Sequence, residues 1–218
     1  PENHAAMLGA YRKISEVSSL AAREGFSSDI CSYLRGDIGA FLADTTPLSN
    51  IDSSIVAPPR PDVLVYNTNQ CRDIKDWFSW YAAKHNALCI GIDSPRALDN
   101  IEQEHINYVS KQIRSLIPTL ENITQQKSDM DEICRATFLS KECSRLWEQA
   151  LDKARHCPSP LSFYLSLTLM GPAVVARGTE KAVAFMKFLN EELDEQIANN
   201  VYAIKKETHR LYWDGMPI

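Results

Sequence analysis

PDVLVYNTNQC, residues 61–71, is the stretch of sequence that decides the fold. Its apolar run from Val63 to Tyr66 predicts a buried strand, and a polar tip follows that ends in Cys71 at the start of the next predicted helix. Open α/β sheets bind their ligands outside the carboxyl ends of their parallel strands. The stretch therefore predicts that Cys71 is presented at a binding edge of a sheet.

The residues after this tip complete a strand–helix–strand unit. Four apolar side chains follow helical spacing: Ile74, Trp77, Phe78 and Tyr81. Residues 88–92, LCIGI, predict a second short buried strand. A strand, a helix and a strand in this order form the parallel crossover unit. We therefore predict an α/β fold: a Rossmann-like parallel sheet with helices on both faces, plus a helical segment.

A second cysteine, Cys31, is predicted at a comparable place upstream. Ser27, Ser28 and Asp29 offer cap side chains for the helix that follows, which would put Cys31 in its first turn. A helix N-terminus stabilises a thiolate through its dipole and its free N–H groups. The 40 residues between Cys31 and Cys71 are no metal signature by themselves, so ordinary thiols remain the alternative.

The later part of the chain is predicted to be mainly helical. Residues 101–126 and 129–155 predict long amphipathic helices, and Pro118 is expected to kink or break the first. LSFYLSLTLM, residues 161–170, predicts a buried helix, and Thr179 is expected to cap another. The final HRLYWDGMPI predicts a further strand.

Composition bounds the function classes. The chain has 218 residues, of which 44% are hydrophobic, which is enough for a core. The net charge of -5 comes from interspersed charges, which argues against nucleic acid as the main partner. We see no run of about 18 apolar residues and no secretory signal, so we expect a cytoplasmic protein without a membrane partner. The six cysteines lack the density of a disulfide scaffold, which favours reduced thiols or metal ligands.

An ordered set of sequence pieces resembles the 2-hydroxyacyl-CoA dehydratase and benzoyl-CoA reductase subunits, of the 2-hydroxyglutaryl-CoA dehydratase D-component type. The pieces are PENHAA, EGFSSDICSYLRGDIG, PPRPDVLVYNTNQC, KDWFSWYA, GIDSP, CPSPLSFY, ARGTEKA and RLYWDGMPI. A single piece such as GIDSP is weak, whereas the set in the family's order over nearly the whole length is specific. The resemblance implies the N-terminal part of such a subunit.

The resemblance implies an iron–sulfur site. Each subunit of the family holds a 4Fe-4S cluster by three cysteines, and Cys31 and Cys71 match the first two positions. The third ligand is expected beyond Ile218, in a further α/β domain. Residues 1–100 would then be a Rossmann-like cluster-binding portion, and residues 101–218 a predominantly helical portion leading into that domain.

The resemblance also implies roles for polar residues near the cysteines. Glu2 matches a Pro-Glu motif near the family's active site and could move a proton, and His4 lies beside it. Asn67 and Asn69 could bond to cluster sulfurs or to the substrate thioester, and turn capping by asparagine is the alternative. Thr68 and Gln70 in the same tip have the same two interpretations.

Two charged residues, Arg35 and Asp93, have competing interpretations. Arg35 could bind the anionic part of CoA, or it could form an ordinary ion pair with Asp37. Asp93 follows the second strand like an acid that faces a ligand, yet Asp-Ser-Pro is also a common helix cap.

The implied function is that of an oxygen-sensitive acyl-CoA dehydratase or aryl-CoA reductase. An ATP-dependent iron–sulfur activator protein would supply one low-potential electron, and a related second subunit would complete a heterodimer or homodimer. A non-catalytic partner subunit, which relays electrons or only assembles the dimer, is the first alternative. A Rossmann-like binding domain without metal is the second.

Overall fold

The computed structural model describes residues 1–96, 99–204 and 206–211 of the chain. By their internal contacts these residues divide into two units, the first ending at Lys127 and the second beginning at Ser128. The first unit contains, in chain order, α1 (Glu2–Ala10), α2 (Ile14–Ala21), α3 (Ser32–Leu42), β1 (Val63–Asn67), α4 (Arg72–His85), β2 (Leu88–Ile92) and α5 (Gln103–Thr124). The second contains α6 (Met130–Lys153), α7 (Phe163–Leu169), α8 (Gly171–Val175) and α9 (Glu180–Ala198).

The two predicted strands pair in parallel, with Val63 opposite Leu88 and Asn67 opposite Ile92. Helix α4 connects them, so the predicted strand–helix–strand unit is confirmed and the class is α/β. The sheet formed by the described residues has these two strands. A larger Rossmann-like sheet with helices on both faces therefore stays a prediction.

The predicted apolar stripe of α4 forms the centre of the first unit's core. Its four side chains are buried together with Leu34 and Ile38 of α3 and Leu64 of β1: Ile74, Trp77, Phe78 and Tyr81. Leu64 is inward-facing while its neighbours are only partly buried, as expected for alternation along a strand. This packing fixes α4 against β1 and thereby positions the polar tip, which connects the end of β1 to the start of α4.

Helices α2 and α3 approach each other closely at Gly39. A Cβ atom at this position would lie 2.1 Å from the carbonyl oxygen of Val17. A side chain of any size would therefore push the two helices apart. This steric constraint explains why position 39 is glycine, although glycine lowers the stability of a helix.

The second unit is built on α6 and α9. Cys143 and Leu146 of α6 pack against Met186 and Leu193 of α9 in its core. The predicted cap is confirmed, because the Thr179 hydroxyl accepts a hydrogen bond from the Ala182 N–H at 3.2 Å.

Several local predictions were wrong. The break expected at Pro118 is absent, because helix α5 continues through this residue, and since Pro118 and Arg114 are both exposed, water can satisfy the Arg114 carbonyl. A kink at Pro118, the other expected outcome, stays a prediction. Helix α3 begins after Cys31, which is itself the cap residue in place of Ser27, Ser28 or Asp29.

The helix predicted to be buried within residues 161–170 is α7, and none of its residues is buried. Helix α7 ends at Leu169, α8 starts at Gly171, and Tyr164 is 79% exposed. An apolar helix is buried only when another element covers it, and the described part of the second unit leaves this face open. Of the predicted final strand, residues 209–211 are not in a strand, and 212–218 lie outside the described residues.

Within the described ranges, no helix combines the length and the apolar character needed to cross a bilayer.

Candidate functional site

The two cysteines singled out by the sequence occupy equivalent positions at two helix starts. Cys31 is the cap residue of α3, and Cys71 is the cap residue of α4. Neither side chain accepts the capping hydrogen bond that serine or aspartate would accept there. Cys31 is partly buried against the core of the first unit, and Cys71 is exposed.

A hydrogen bond joins these two helix starts. The backbone N–H of Cys31 donates to Asp73 Oδ2 at 3.2 Å, and Asp73 lies in the first turn of α4, two residues after Cys71. The structure thus brings the Cys31 loop to the helix end that carries Cys71. Sequence reasoning did not select Asp73, because an acidic residue in the first turn of a helix is common and indicates no particular partner.

The polar tip is held together by its own side chains. Asn67 Oδ1 accepts from the Asn69 N–H at 2.8 Å, and the Gln70 N–H donates to the Asn67 carbonyl at 3.2 Å. The Thr68 N–H donates to the Ile92 carbonyl at the end of β2. Asn67 therefore performs the turn capping that was the alternative to a binding role.

The tip is also tied to the segment that follows β2. Asn67 Nδ2 donates to Ser94 Oγ at 3.2 Å, and Thr68 Oγ1 donates to Asp93 Oδ1 at 2.7 Å. Arg96 Nε donates to Asn69 Oδ1. The carboxyl ends of the two parallel strands thus form one hydrogen-bonded polar edge, the place where open sheets bind ligands.

Asp93 is the acidic centre of this edge. Its side chain also accepts a hydrogen bond from the Tyr108 hydroxyl at 3.0 Å. The Asp93 N–H donates to Gln112 Oε1, and Gln112 Nε2 donates to the Asp93 carbonyl, each at 2.8 Å. Hydrogen bonds from Thr68 and Tyr108 lower the pKa of Asp93. The helix-cap interpretation of Asp93 is wrong, because α5 starts at Gln103 with Glu102 as its cap.

Glu2 lies beside the same tip. Its Oε1 accepts a hydrogen bond from Gln70 Nε2 at 3.3 Å, across 68 residues of sequence. Because Gln70 immediately precedes Cys71, the structure places the predicted acid–base residue next to the loop of the predicted ligand.

His4 is directed away from this edge into a buried polar cluster around Asp37. His4 Nδ1 lies 2.5 Å from Asp37 Oδ1, and its Nε2 lies 2.9 Å from Thr46 Oγ1. Asp37 Oδ2 accepts from Trp77 Nε1 at 2.9 Å and from the Tyr81 hydroxyl at 2.7 Å. Burial, followed by the charge of Asp37 and its hydrogen bond, raises the pKa of Tyr81.

The predicted ion pair between Arg35 and Asp37 is wrong. Asp37 is 1% exposed and faces the core, while Arg35 Nη1 donates to the Ser28 carbonyl at 2.8 Å. Residues two apart on a helix do not share a face, which explains why the two side chains take different partners.

The donor set at the two helix starts suits a cluster of iron and sulfide, since such clusters are held by cysteine thiolates. Elsewhere, Cys89 is partly buried in β2 and Cys143 is buried in α6, and burial raises the pKa of both thiols. Among the residues that the structure describes, no group of three or more His, Cys, Asp or Glu side chains could hold a metal ion.

Comparison with known proteins gives the family of this chain. The family model described as 2-hydroxyglutaryl-CoA dehydratase, D-component, matches residues 4–218. The chain belongs to this family.

Three curated relatives align with nearly all of this chain. The (R)-phenyllactyl-CoA dehydratase alpha subunit of Clostridium sporogenes is 30% identical over 219 residues, covering 99% of this chain and 52% of the relative. The (R)-2-hydroxyisocaproyl-CoA dehydratase alpha subunit of Clostridioides difficile is 28% identical, covering 100% and 52%. A benzoyl-CoA reductase subunit of Thauera aromatica is 26% identical, covering 100% and 51%. The chain thus spans about half the length of the curated relatives it matches.

Proposed function

We propose that this chain belongs to an iron–sulfur subunit of an anaerobic acyl-CoA dehydratase or aryl-CoA reductase. The observation that carries the proposal is the hydrogen bond from Cys31 to Asp73, which joins the two cysteine-capped helix starts in a chain of the D-component family. Names of the relatives support the substrate class, since each is a subunit of an enzyme acting on an acyl-CoA or aryl-CoA.

Cys31 and Cys71 would be two thiolate ligands of a 4Fe-4S cluster, with a third cysteine ligand beyond Ile218. When bound, the cluster would supply one electron at low potential, destined for the thioester carbonyl in a dehydratase or for the aromatic ring in a reductase. The partly buried position of Cys31 would restrict the access of water on that side of the site, whereas Cys71 is exposed.

Asn67 and Asn69 would shape the polar edge around the cluster. Asn67 holds the turn through its Oδ1, and Asn69 accepts from Arg96. The side-chain amide groups of Asn67 and Asn69 each have two N–H donors, and those not used within the edge would donate to cluster sulfurs or to the substrate thioester, which tunes potential and position.

Glu2 is the residue to which we assign proton transfer. Gln70 Nε2 holds Glu2 Oε1 beside the tip, and the carboxylate is exposed and can meet a bound substrate. Loss of water from a 2-hydroxyacyl group requires a proton to leave carbon and the departing hydroxide to be protonated. The Glu2 carboxylate would take up and return that proton.

The proposal extends to the assembly. A related second subunit is supported by the relatives, which are named as subunits, and an ATP-dependent iron–sulfur activator would deliver the electron. We further propose a cytoplasmic location and a Rossmann-like sheet that extends the β1–β2 pair, with helices on both faces.

Anaerobic purification of the protein expressed from its full coding sequence tests the proposal. We expect about four irons and four acid-labile sulfides per subunit, as in other 4Fe-4S proteins. Cys31→Ala and Cys71→Ala should each lose most of this content, whereas Cys134→Ala, at an exposed cysteine of α6, should keep it. Absence of both iron and sulfide overturns the proposal, and full cluster content in Cys71→Ala overturns the assignment of that ligand.

A spectroscopic measurement separates the catalytic subunit from the partner subunit that only relays electrons. Addition of an acyl-CoA to the reduced protein should change the electron paramagnetic resonance spectrum of the cluster if the thioester binds there. An unchanged spectrum, with acyl-CoA bound elsewhere in the assembly, assigns the relay role instead.

A further inference from the structure

We propose that Asp73 is a positioning residue that fixes the Cys31 loop against the start of α4, so that Cys31 and Cys71 are held together before a cluster binds. The role of this contact in cluster binding rests on the proposed function. Its geometry stands on the hydrogen bond between the Cys31 N–H and Asp73 Oδ2, which spans 42 residues of sequence.

The partner of Asp73 is unusual for an acid in the first turn of a helix. Such a carboxylate commonly interacts with the free N–H groups of its own helix. Asp73 Oδ2 instead accepts the N–H of the cap residue of α3, a donor that precedes that helix and needs a partner from outside it. The carboxylate therefore acts between two helix starts, each of which has a cysteine in the position that normally carries the capping side chain.

Side-chain hydrogen bonds join the segment before α3, residues 22–31, to α4 near both of its ends, and Asp73 makes the one at the start of α4. At the other end of α4, Glu24 accepts from Trp80 Nε1 at 3.0 Å and from Lys84 Nζ at 3.3 Å. The Glu24 contacts hold the beginning of the segment, and the Asp73 contact holds its end at Cys31. Loss of Asp73 would remove the hydrogen bond at the cysteine end of the segment while leaving the Glu24 hydrogen bonds in place.

The hydrogen bond between Arg35 and Ser28 cannot replace this contact. It joins α3 to the loop that directly precedes it, so both partners move with Cys31. It gives no attachment to α4 or to Cys71. Of these two hydrogen bonds, the one to Asp73 is therefore the one that ties the position of Cys31 to the helix start carrying Cys71.

The test measures bridging of the two thiols in the metal-free protein expressed from its full coding sequence. Dibromobimane links two thiols that lie close together, and peptide mass spectrometry identifies the linked pair. We expect the wild type to form the Cys31–Cys71 bridge. Asp73→Ala should form it about tenfold more slowly, a factor that corresponds to about 1.4 kcal/mol. Asp73→Asn, which keeps an oxygen acceptor, should stay within about twofold of the wild type, since only the charge of the acceptor is lost.

Two further variants complete the design. Asp76→Ala removes an exposed carboxylate of the same helix that pairs with Arg72, and it should bridge at the wild-type rate. Asp73→Ser keeps a side chain suited to a helix start but is too short to reach Cys31, so it tests the proposal even if Asp73→Ala does not fold. Like Asp73→Ala, it should bridge slowly while its midpoint of urea denaturation stays close to that of Asp76→Ala.

The outcomes separate this inference from the proposed function. Wild-type bridging rates in Asp73→Ala and Asp73→Ser overturn the positioning role and leave the cluster hypothesis intact. Failure of the wild type to bridge overturns both the positioning role and the ligand pair. Bridging that depends on Asp73, in a protein that carries neither iron nor sulfide after anaerobic purification, supports the positioning role and overturns the proposed function.

Discussion

His4 Nδ1 lies 2.5 Å from Asp37 Oδ1, in a buried pair that fastens the first helix of the chain to α3. With 3.6 residues per turn, residues two apart on a helix point in nearly opposite directions. When His4 enters the core, Glu2 is therefore directed to the other side of α1, where it meets Gln70. The buried pair and the exposed carboxylate are two consequences of one helix orientation.

Replacement of Asp37 should destabilise the protein strongly. Asp37→Ala leaves His4, Trp77 and Tyr81 with buried donors that have lost their acceptor. Breaking a buried charged network in this way costs about 3–5 kcal/mol in free energy of unfolding. Urea denaturation followed by tryptophan fluorescence measures the change. Asp62→Ala, at an exposed aspartate of the same unit, should stay within about 0.5 kcal/mol of the wild type. If Asp37→Ala lowers the free energy of unfolding by less than about 1 kcal/mol, the buried hydrogen bonds around Asp37 are not what holds α1 in place.

The Tyr81 hydroxyl should make stability depend on pH in the alkaline range. Burial and the neighbouring Asp37 raise the pKa of Tyr81 above its ordinary value of 10.0. The resulting stabilisation is complete below pH 10.0 and is lost as the pH rises further, because the unfolded chain then releases a proton that the folded chain retains. Tyr81→Phe should be less stable by about 1.5–3 kcal/mol at pH 8, through loss of a hydrogen bond to a carboxylate.

Denaturation at several alkaline pH values checks the sign of this effect. Above pH 10.0 the difference between the wild type and Tyr81→Phe should narrow by about 1.4 kcal/mol per pH unit. Tyr11→Phe, at an exposed tyrosine, provides the matched control and should follow the wild-type curve. Parallel curves for the wild type and Tyr81→Phe would contradict the prediction.

The close approach of α2 and α3 predicts a steric effect at Gly39. Gly39→Ala should lower the free energy of unfolding by about 2 kcal/mol or more, because the new methyl group meets the Val17 carbonyl, whose position the helix fixes. Gly9→Ala is the control, since its Cβ would make only ordinary contacts, the nearest at 3.6 Å. That substitution should raise stability by roughly 0.5–1 kcal/mol through helix propensity. Thermal or urea denaturation distinguishes the two, and equal effects would rule out the steric explanation.

Local patterns in the sequence were sufficient for the strand–helix–strand unit. The apolar run from Val63 to Tyr66 and the stripe from Ile74 to Tyr81 depend on neighbours within a few residues, which a sequence displays directly. The positions of Cys31 and Cys71 at helix starts followed from the same signals, although the cap of α3 is Cys31 and lies two residues beyond Asp29, the nearest predicted cap.

Long-range partners could not be obtained in this way. Asp37 was assigned to Arg35 because the two are close in sequence, whereas its partners lie 33 to 44 residues away. A charged residue on a helix gives no sign of whether distant donors will accompany it into a core. The same holds for Asp73, whose role follows from a partner 42 residues away. Exposure of Tyr164 depends on what covers α7, which its own apolar sequence does not specify.

Glu2 provides the prediction that links the fold to the proposed reaction. In the protein expressed from its full coding sequence and assembled with its partner and activator, Glu2→Gln should lower kcat by about 10²–10⁴-fold, the usual contribution of a general acid–base group. Iron and sulfide content should stay at the wild-type value, because Glu2 is not a ligand. The glutamine keeps an oxygen for the bond from Gln70, so α1 should remain in place. Glu16→Gln, at an exposed glutamate paired with Lys13, should leave both quantities unchanged. Turnover of an acyl-CoA and metal analysis of the same preparations measure the two effects, and a kcat within about twofold of the wild type would remove Glu2 from the reaction.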